Sequence, residues 1–329
     1  MGMAPRFLAH LVYAGKNITT SLTEYNSGFS YSDPDGGESD SMQIKIADPD
    51  KKWISPWYPT KGDKIEVALE LLFWDGHEGD LPKKIDCGSF TIDKLSAGAG
   101  SISIGGVSKP ANKDFYGTDR TKIWEGNTLE EIARDSADRA GIALFYDGPR
   151  IPIEKEEQSG PDADFLEGLC GRYGLRMKVY RDKLVIFDRA AYKKKPPAKT
   201  FSAANRELGE NWSFEDSLDP YTGVELTYTN GDGKDIKFKY GSEDRLLRLN
   251  QKAADDADAE RIAMAALEKE NHGACTIQFQ ARAMAGLCAS QTIQVEGTGG
   301  QPDGIYYVDA LELSADNGGA FYDVRGSRV

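Results

Sequence analysis

The sequence predicts a mainly β protein with an α+β insert: two antiparallel β-barrels, one toward each end, plus a small α/β domain between them. Three observations lead there. Glycine supplies 35 of 329 residues, about 11% against a usual ~7%, while proline is only 14, so tight turns between many short strands are expected. Apolar and polar residues alternate with a period of two toward both ends of the chain. Helical spacing is confined to the middle and to one later stretch. A hydrophobic content of 40% and a length near twice a ~150-residue domain allow two or three packed units and argue against disorder.

Residues 1–110 form the first expected barrel. Arg6–Tyr13 alternates loosely, and Ser41–Ala47 places Met42, Ile44 and Ile46 on one face. Lys64–Phe73, Gly88–Leu95 and Ser101–Ile104 follow, bounded by Gly, Asp or Pro. Ser32–Asp40, rich in acid and glycine, is expected to be an exposed loop. Residues 111–205 differ. Thr128-x-x-Glu131 is a capping box that opens a helix with the stripe Leu129, Ile132, Ala133, Ala137 and Ala140 and the stop Gly141. A second helix begins near Pro161-Asp162, buries Phe165, Leu166, Leu169, Cys170 and Tyr173, and ends at Gly174. Leu175–Tyr180 and Lys183–Asp188 make a hairpin about Arg181-Asp182, and the linker Tyr192–Lys199 closes this α/β unit. A helix within 245–272, Ala253–Lys269 by its apolar spacing, is assigned to the same unit. Residues 206–244 and 273–329 make the second barrel. Its strands are Tyr221–Thr229 and Asp235–Tyr240 about Asn230-Gly-Asp-Gly233, then Thr276–Ala281, Gln291–Glu296, Gly304–Leu313 and Ala320–Val324.

The candidate structural site is an internal repeat. Gly88-Ser-Phe90-Thr-Ile92-Asp93-Lys-Leu95 matches Gly304-Ile-Tyr306-Tyr-Val308-Asp309-Ala-Leu311 as Gly-x-aromatic-x-aliphatic-Asp-x-Leu. An alternating strand precedes each copy (Ile65 and Val67; Ile293 and Val295), and a Ser-Ala plus Gly turn follows. Period-two alternation puts the aromatic and aliphatic residues on one strand face. The opening glycine permits a tight turn or a close backbone approach. The repeat is read as a duplication; the alternative is two unrelated strands that obey the same alternation.

Composition narrows the function. Lys+Arg 40 against Asp+Glu 53 gives a net charge of −13, which excludes a generic DNA-binding coat. No apolar run approaches the ~18 residues of a membrane span, and Glu70 breaks Val67–Trp74. Phe7–Ala14 holds His10 and lacks a small-residue cleavage site, so no signal peptide is expected. Arg6 stands where a myristoylation motif wants Ser or Thr. Cys87, Cys170, Cys275 and Cys288 lie far apart and read as reduced, buried thiols. The histidines His10, His77 and His272 lack metal-ligand spacing, and phosphate-loop and Gly-x-Ser-x-Gly motifs are missing. Asp33-Pro-Asp35-Gly and Asn230-Gly-Asp232-Gly read as turns, not as calcium loops. Asp162 and Asp164 read as a helix cap. No catalytic residue, cofactor site or metal site is assigned. Trp53-Ile-Ser-Pro-Trp57-Tyr-Pro59 is an aromatic loop with two readings: a binder of sugar rings or a protein groove, or a lid with Trp53 buried and Trp57 partly exposed.

In this order of parts the chain resembles the phage late control gene D family, the baseplate hub proteins of contractile tails. Five stretches carry the resemblance: Ala47-Asp-Pro-Asp50…Trp53 with Gly62-Asp63-Lys-Ile65; Cys87-Gly-Ser-Phe-Thr-Ile-Asp93; Trp124-Glu-Gly-Asn-Thr-Leu129…Ile132-Ala133; Glu157-Gln158-Ser159…Asp164-Phe165-Leu166 through Leu169-Cys170…Leu184-Val-Ile-Phe187; and Gly304-Ile-Tyr-Tyr-Val308. Near the C-terminus Gly318-Gly-Ala-Phe-Tyr322 departs from the Tyr-Thr pattern expected after Gly-Gly. The resemblance implies a homotrimer in which two tail-tube-like barrels per chain give six units. It implies a hexameric tail tube protein on one face and a trimeric spike protein on the other, with baseplate wedge proteins and a tape measure protein as further partners. The implied place is the tail baseplate of a virion or phage-tail-like particle, assembled in the host bacterial cytoplasm. Three copies at −13 each carry −39, so an acidic channel wall would repel passing DNA and stable nucleic-acid binding is not expected. The reading from another class is a cell-wall-acting enzyme or glycan-binding module that uses the Trp53–Pro59 loop.

Overall fold

The computed structural model describes residues 6–19, 26–74, 81–110, 112, 114–217, 220–230, 233–316 and 318–329. A front group of strands comes first: β1 (Arg6–Tyr13), β2 (Lys16–Asn17), β3 (Asn26–Pro34), β4 (Ser41–Ala47), β5 (Lys64–Leu72), β6 (Lys83–Gly98) and β7 (Ser101–Val107). Successive side chains leave opposite faces of a strand, so one buried face demands alternation. β4 obeys, with Met42, Ile44 and Ile46 inward and Gln43 and Lys45 outward. The rear group is β13 (Lys199–Ser202), β14 (Ser213–Asp216), β18 (Cys275–Arg282), β19 (Thr292–Glu296), β20 (Gly304–Asp316) and β21 (Gly319–Arg328).

Both groups belong to one 13-stranded sheet, ordered β14-β18-β21-β20-β3-β4-β7-β6-β5-β1-β2, with β19 on β20 and β13 on β19. The two expected barrels are therefore, in hydrogen-bonding terms, two strand groups joined where β20 pairs antiparallel with β3. Their cores merge as well. Phe29, Ile44, Leu69 and Phe90 from the front share one cluster with Phe201, Phe279, Tyr306 and Leu313 from the rear. β21 pairs along its length with β20 and β18, the departure near Gly318 notwithstanding.

The helix-containing insert holds α1 (Asp114–Gly117), β8 (Arg120–Thr128), α2 (Leu129–Ala140), β9 (Ala143–Asp147), β10 (Pro152–Gly160), α3 (Asp162–Arg172), β11 (Leu175–Tyr180), β12 (Lys183–Asp188) and α4 (Arg189–Lys193). The capping box forms as read: the Glu131 N–H donates to Thr128 Oγ1 and the Thr128 N–H donates to Glu131 Oε2. Gly141 ends α2 at φ 70°. Arg181 and Asp182 take φ 48° and 56°, the left-handed pair that a two-residue hairpin turn needs. Leu166, Leu169 and Cys170 of α3 are buried with Leu129, Ile132 and Ile186, whereas Phe165 and Tyr173 lie at the margin of that core.

Five expectations need correction. The hairpin β15 (Gly223–Thr229) with β16 (Asp235–Gly241) does not join the rear strands. With β17 (Leu246–Asn250) it forms its own sheet under α5 (Asp256–Asn271), because Leu226 and Tyr228 find their cover in Ala259 and Ile262. That helix starts later than its apolar spacing suggested, since Asp255 caps it by accepting the Asp258 N–H. Only Cys87 and Cys170 are buried; Cys275 is intermediate and Cys288 exposed, all four as free thiols. Asp162 is not a cap. It is buried and accepts from Arg139 and Gln158 and pairs with Arg120. The fifth is Ser32–Asp40, whose three aspartates Asp33, Asp35 and Asp40 are buried. No helix among the described residues is long and apolar enough to cross a membrane.

Candidate functional site at the seam of two strand groups

The repeat residues occupy matching places in the two groups. Phe90 pairs with Ile65, and Tyr306 pairs with Ile293. Ile92 lies opposite Gly106, and Val308 lies opposite Gly326. In both hairpins the register then slips by one residue, which leaves Asp93 and Asp309 each extruded at a bulge. Leu95 next pairs with Ile104, and Leu311 with Val324. The facing glycines are needed for space. A Cβ at Gly106 would stand 3.1 Å from the Phe90 Cβ, and one at Gly326 would stand 3.3 Å from the Tyr306 Cβ. The opening glycines serve different ends: Gly88 takes φ 104°, while at Gly304 a side chain would crowd the Arg328 guanidinium.

The correspondence extends beyond the repeat. The Gly62 N–H donates to the Ile92 carbonyl and the Ile92 N–H to the Asp63 carbonyl. In the rear, Ser290 and Gln291 make the same two bonds with Val308. Gly62 and Ser290 both have positive φ, 96° and 66°. Outward from β7 come β4 and β3; outward from β21 come β18 and β14. Tyr31 pairs with Met42, itself opposite Gly106, and Phe214 pairs with Ile277, itself opposite Gly326. Ser30-Tyr31-Ser32-Asp33 thus falls on Ser213-Phe214-Glu215-Asp216, a match of Ser, aromatic and Asp that the sequence offers and pattern reading passed over. One pairing differs: β1 runs antiparallel to β5, β13 parallel to β19.

At the seam itself Phe29, Tyr31 and Asp33 of β3 face Ala315, Leu313 and Leu311 of β20. Here the acidic loop departs from its expected exposure, because Asp33, Asp35 and Asp40 are all buried. The insert supplies the reason. Lys178 of β11 donates to Asp33 at 2.5 Å and to Asp40 at 3.0 Å. Arg176 donates to Asp35 at 2.8 Å. Asp33 also accepts the Ala289 N–H, Asp35 the Tyr307 hydroxyl and Asp40 the Tyr31 hydroxyl. Burial pushes the Asp40 carboxyl up to about 6, with Lys178 opposing and Asp33 adding to the rise. Burial works against the Lys178 ammonium, but Asp33 and Asp40 outweigh it and hold its pKa above the ordinary range.

A second tier ties α5 to the same place. Glu268 accepts from Arg189 and Lys193, both at 2.7 Å. His272 contacts Asp309 Oδ1 at 2.6 Å, and the Ser327 hydroxyl donates to Asp309 Oδ2. Asp309 is therefore anchored, whereas its counterpart Asp93 is exposed and makes no such bond among the described residues. Acids are matched by bases throughout, which makes the cluster a clamp among three parts of the chain. Stripping one partner from a buried pair costs about 3–5 kcal/mol. Among the described residues no group of three His, Cys, Asp or Glu is placed to hold a metal ion. His10 pairs with Glu70 instead, and His77 and Asp232 lie outside the described residues.

The Trp53–Pro59 loop is set by Asp48, whose carboxylate accepts the Trp53 and Ile54 N–H groups. Trp53 is buried while Trp57 and Tyr58 stand half exposed beside an apolar cavity of about 390 Å³ lined also by Ile44, Ile65 and Ile92.

Solved structures share this fold. A tail protein from Neisseria meningitidis superposes with a TM-score of 0.71 at 14% identity, covering 98% of this chain and 96% of that one. The 43 kDa tail protein of prophage MuSo2 from Shewanella oneidensis gives 0.71 at 14%, with 98% of both chains covered. The chain has the fold of phage tail proteins. A component of the E. coli type VI secretion system, described as structurally similar to T4 bacteriophage tail proteins gp27 and gp5, gives 0.57 at 11% and covers 93% of this chain and 74% of that one. No family model matches the chain, and no curated protein matches it in sequence. In this tail-protein fold the seam gathers the buried Asp33, Asp35 and Asp40 with Arg176 and Lys178.

Proposed function

We propose that the chain is the structural baseplate hub of a contractile tail. Three copies form a ring of six similar units, dock the hexameric tail tube protein on one face, and receive the trimeric spike protein on the other. The observation that carries this reading is the shared strand order and register of the front and rear groups, down to the bulges at Asp93 and Asp309 and the facing Gly106 and Gly326. A duplicated unit lets a threefold object present six equivalent places. Baseplate wedge proteins and a tape measure protein complete the partners, and the net charge of −13 per chain disfavours a hold on DNA. The domain division follows the same scheme, with residues 1–110 as the first unit, the insert and α5 as a brace, and the rear strands as the second unit.

The test is the mass of the purified chain and its place in particles. The hub reading expects three times the 36.1 kDa chain mass, and copies in tail baseplates. A strict monomer that is missing from baseplates would refute it. The glycan-binding reading rests on Trp57 and Tyr58 at the cavity rim, and peptidoglycan binding lost in Trp57→Ala would favour it.

A further inference from the structure

Each strand group has one edge that its counterpart fills inside the chain. The first half of β20 pairs with β19, and residues 310–315 of the same edge pair with β3. The first half of β6 pairs with β5 in the same way, but beyond it residues 93–98 have no strand on that edge among the described residues. The consequence is visible in exposure: Leu311, Leu313 and Ala315 are buried, whereas Asp93, Lys94, Ser96, Ala97 and Gly98 are exposed. The matching deficit lies at the other end of the sheet. β14, the counterpart of β3, pairs among the described residues only with β18, and its Ser213, Glu215 and Asp216 are exposed. An unpaired edge displays a row of unused N–H and C=O groups, a template for another strand.

We propose that β14 of one copy adds to the 93–98 edge of β6 in the next copy, in the register that β3 keeps on β20 within the chain. This rests on the ring proposed above and names its contacts. The in-chain pairs Leu313 with Tyr31, Glu312 with Ser32 and Leu311 with Asp33 become Ala97 with Phe214, Ser96 with Glu215 and Leu95 with Asp216. The faces agree, since Leu95 and Phe214 both already pack at the margin of the core. Charge agrees too. Asp33 accepts the N–H of Ala289, just before Ser290, so Asp216 arrives at the N–H of Lys61, just before Gly62, on a residue of opposite charge. Each copy offers one edge of each kind, a head-to-tail contact that closes when the rotation returns to its start. Main-chain hydrogen bonds give such strand addition its affinity, and the alternate side chains give it register.

The test uses two double variants of the full chain, Ser96→Cys with Glu215→Cys and Ala97→Cys with Phe214→Cys, each with Cys288→Ser to remove the exposed thiol. A control pairs Ser96→Cys with Lys239→Cys, on the exposed face of β16. Solution mass of the unsubstituted chain is measured first, then denaturing gels of each oxidised variant without reductant. The proposal expects a trimer, disulfide ladders of two and three chain masses from at least one matched pair, none from the control, and loss of the ladder on reduction. A trimer with no ladder from either matched pair, each variant keeping the trimer mass, overturns the edge pairing and leaves the hub reading standing. A monomer overturns both.

Discussion

Residues 93–98 and 309–314 trace the same strand with the same bulge, yet Lys94 and Ala97 are exposed where their counterparts Ala310 and Leu313 are buried. The difference lies in the neighbour, for only the rear copy has β3 beside it and the charged clamp behind it. Local sequence therefore sets the shape of each unit, and the seam decides how much that shape contributes to stability. Four experiments break or sharpen this contrast.

The largest effect is expected at the clamp. Lys178→Met leaves Asp33 and Asp40 buried without their shared ammonium, and urea unfolding should show a loss of about 3–5 kcal/mol. The front position Lys94→Met should stay within about 0.5 kcal/mol in the isolated chain. Next come the paired aromatics. Tyr31→Ala empties a buried place at the seam and should cost about 3–5 kcal/mol. Phe214→Ala removes a half-exposed ring, so about 1 kcal/mol is expected from the monomeric chain. Equal losses there would erase the contrast. Third, Asp309→Ala removes charge-assisted bonds to His272 and Ser327 and should cost about 1.5–3 kcal/mol by thermal or urea unfolding. Asp93→Ala should cost no more than about 0.5 kcal/mol.

The smallest effect is in pH. The folded pKa of Asp40, about 6, lies above its ordinary 3.8, so its contribution is fully present below 3.8 and is lost as pH rises through about 6. Glu268 acts in the opposite sense. Burial raises its pKa, but Lys193 and Arg189 outweigh burial and lower it from 4.5, so its contribution is lost as pH falls below that value. Burial also raises the Glu167 carboxyl from 4.5, so between pH 4.5 and 6.5 Asp40 and Glu167 should contribute in the same sense, and Asp40→Asn should reduce the slope of stability against pH without abolishing it. An unchanged slope would place the titrating group elsewhere.

What was legible in the sequence was local. Period two gave Met42, Ile44 and Ile46 their face, and Thr128 with Glu131 marked the start of α2. The repeat put Asp93 and Asp309 at equivalent places without showing that both are bulge residues. The clamp was not legible because nothing near Asp33, Asp35 or Asp40 signals burial. Their partners Arg176 and Lys178 lie 141 and 138 residues away from Asp35 and Asp40, so an acidic, glycine-containing run read as solvent-exposed. The hairpin of β15 and β16 misled for a related reason, since Leu226 and Tyr228 alternate equally well whether a sheet or α5 covers them.

The pairing of β3 with β20 also governs the order in which the chain is completed. Asp33 waits for Ala289, 256 positions later, and Asp35 for Tyr307, 272 positions later. On the ribosome β3 is made well before β20, and its flank stays open until β20 has emerged. Contacts so distant in sequence form slowly, and open strand edges invite wrong partners in the interval. Chains made side by side can therefore pair wrongly at the open flank of β3, and truncation before residue 304 would leave that flank uncovered.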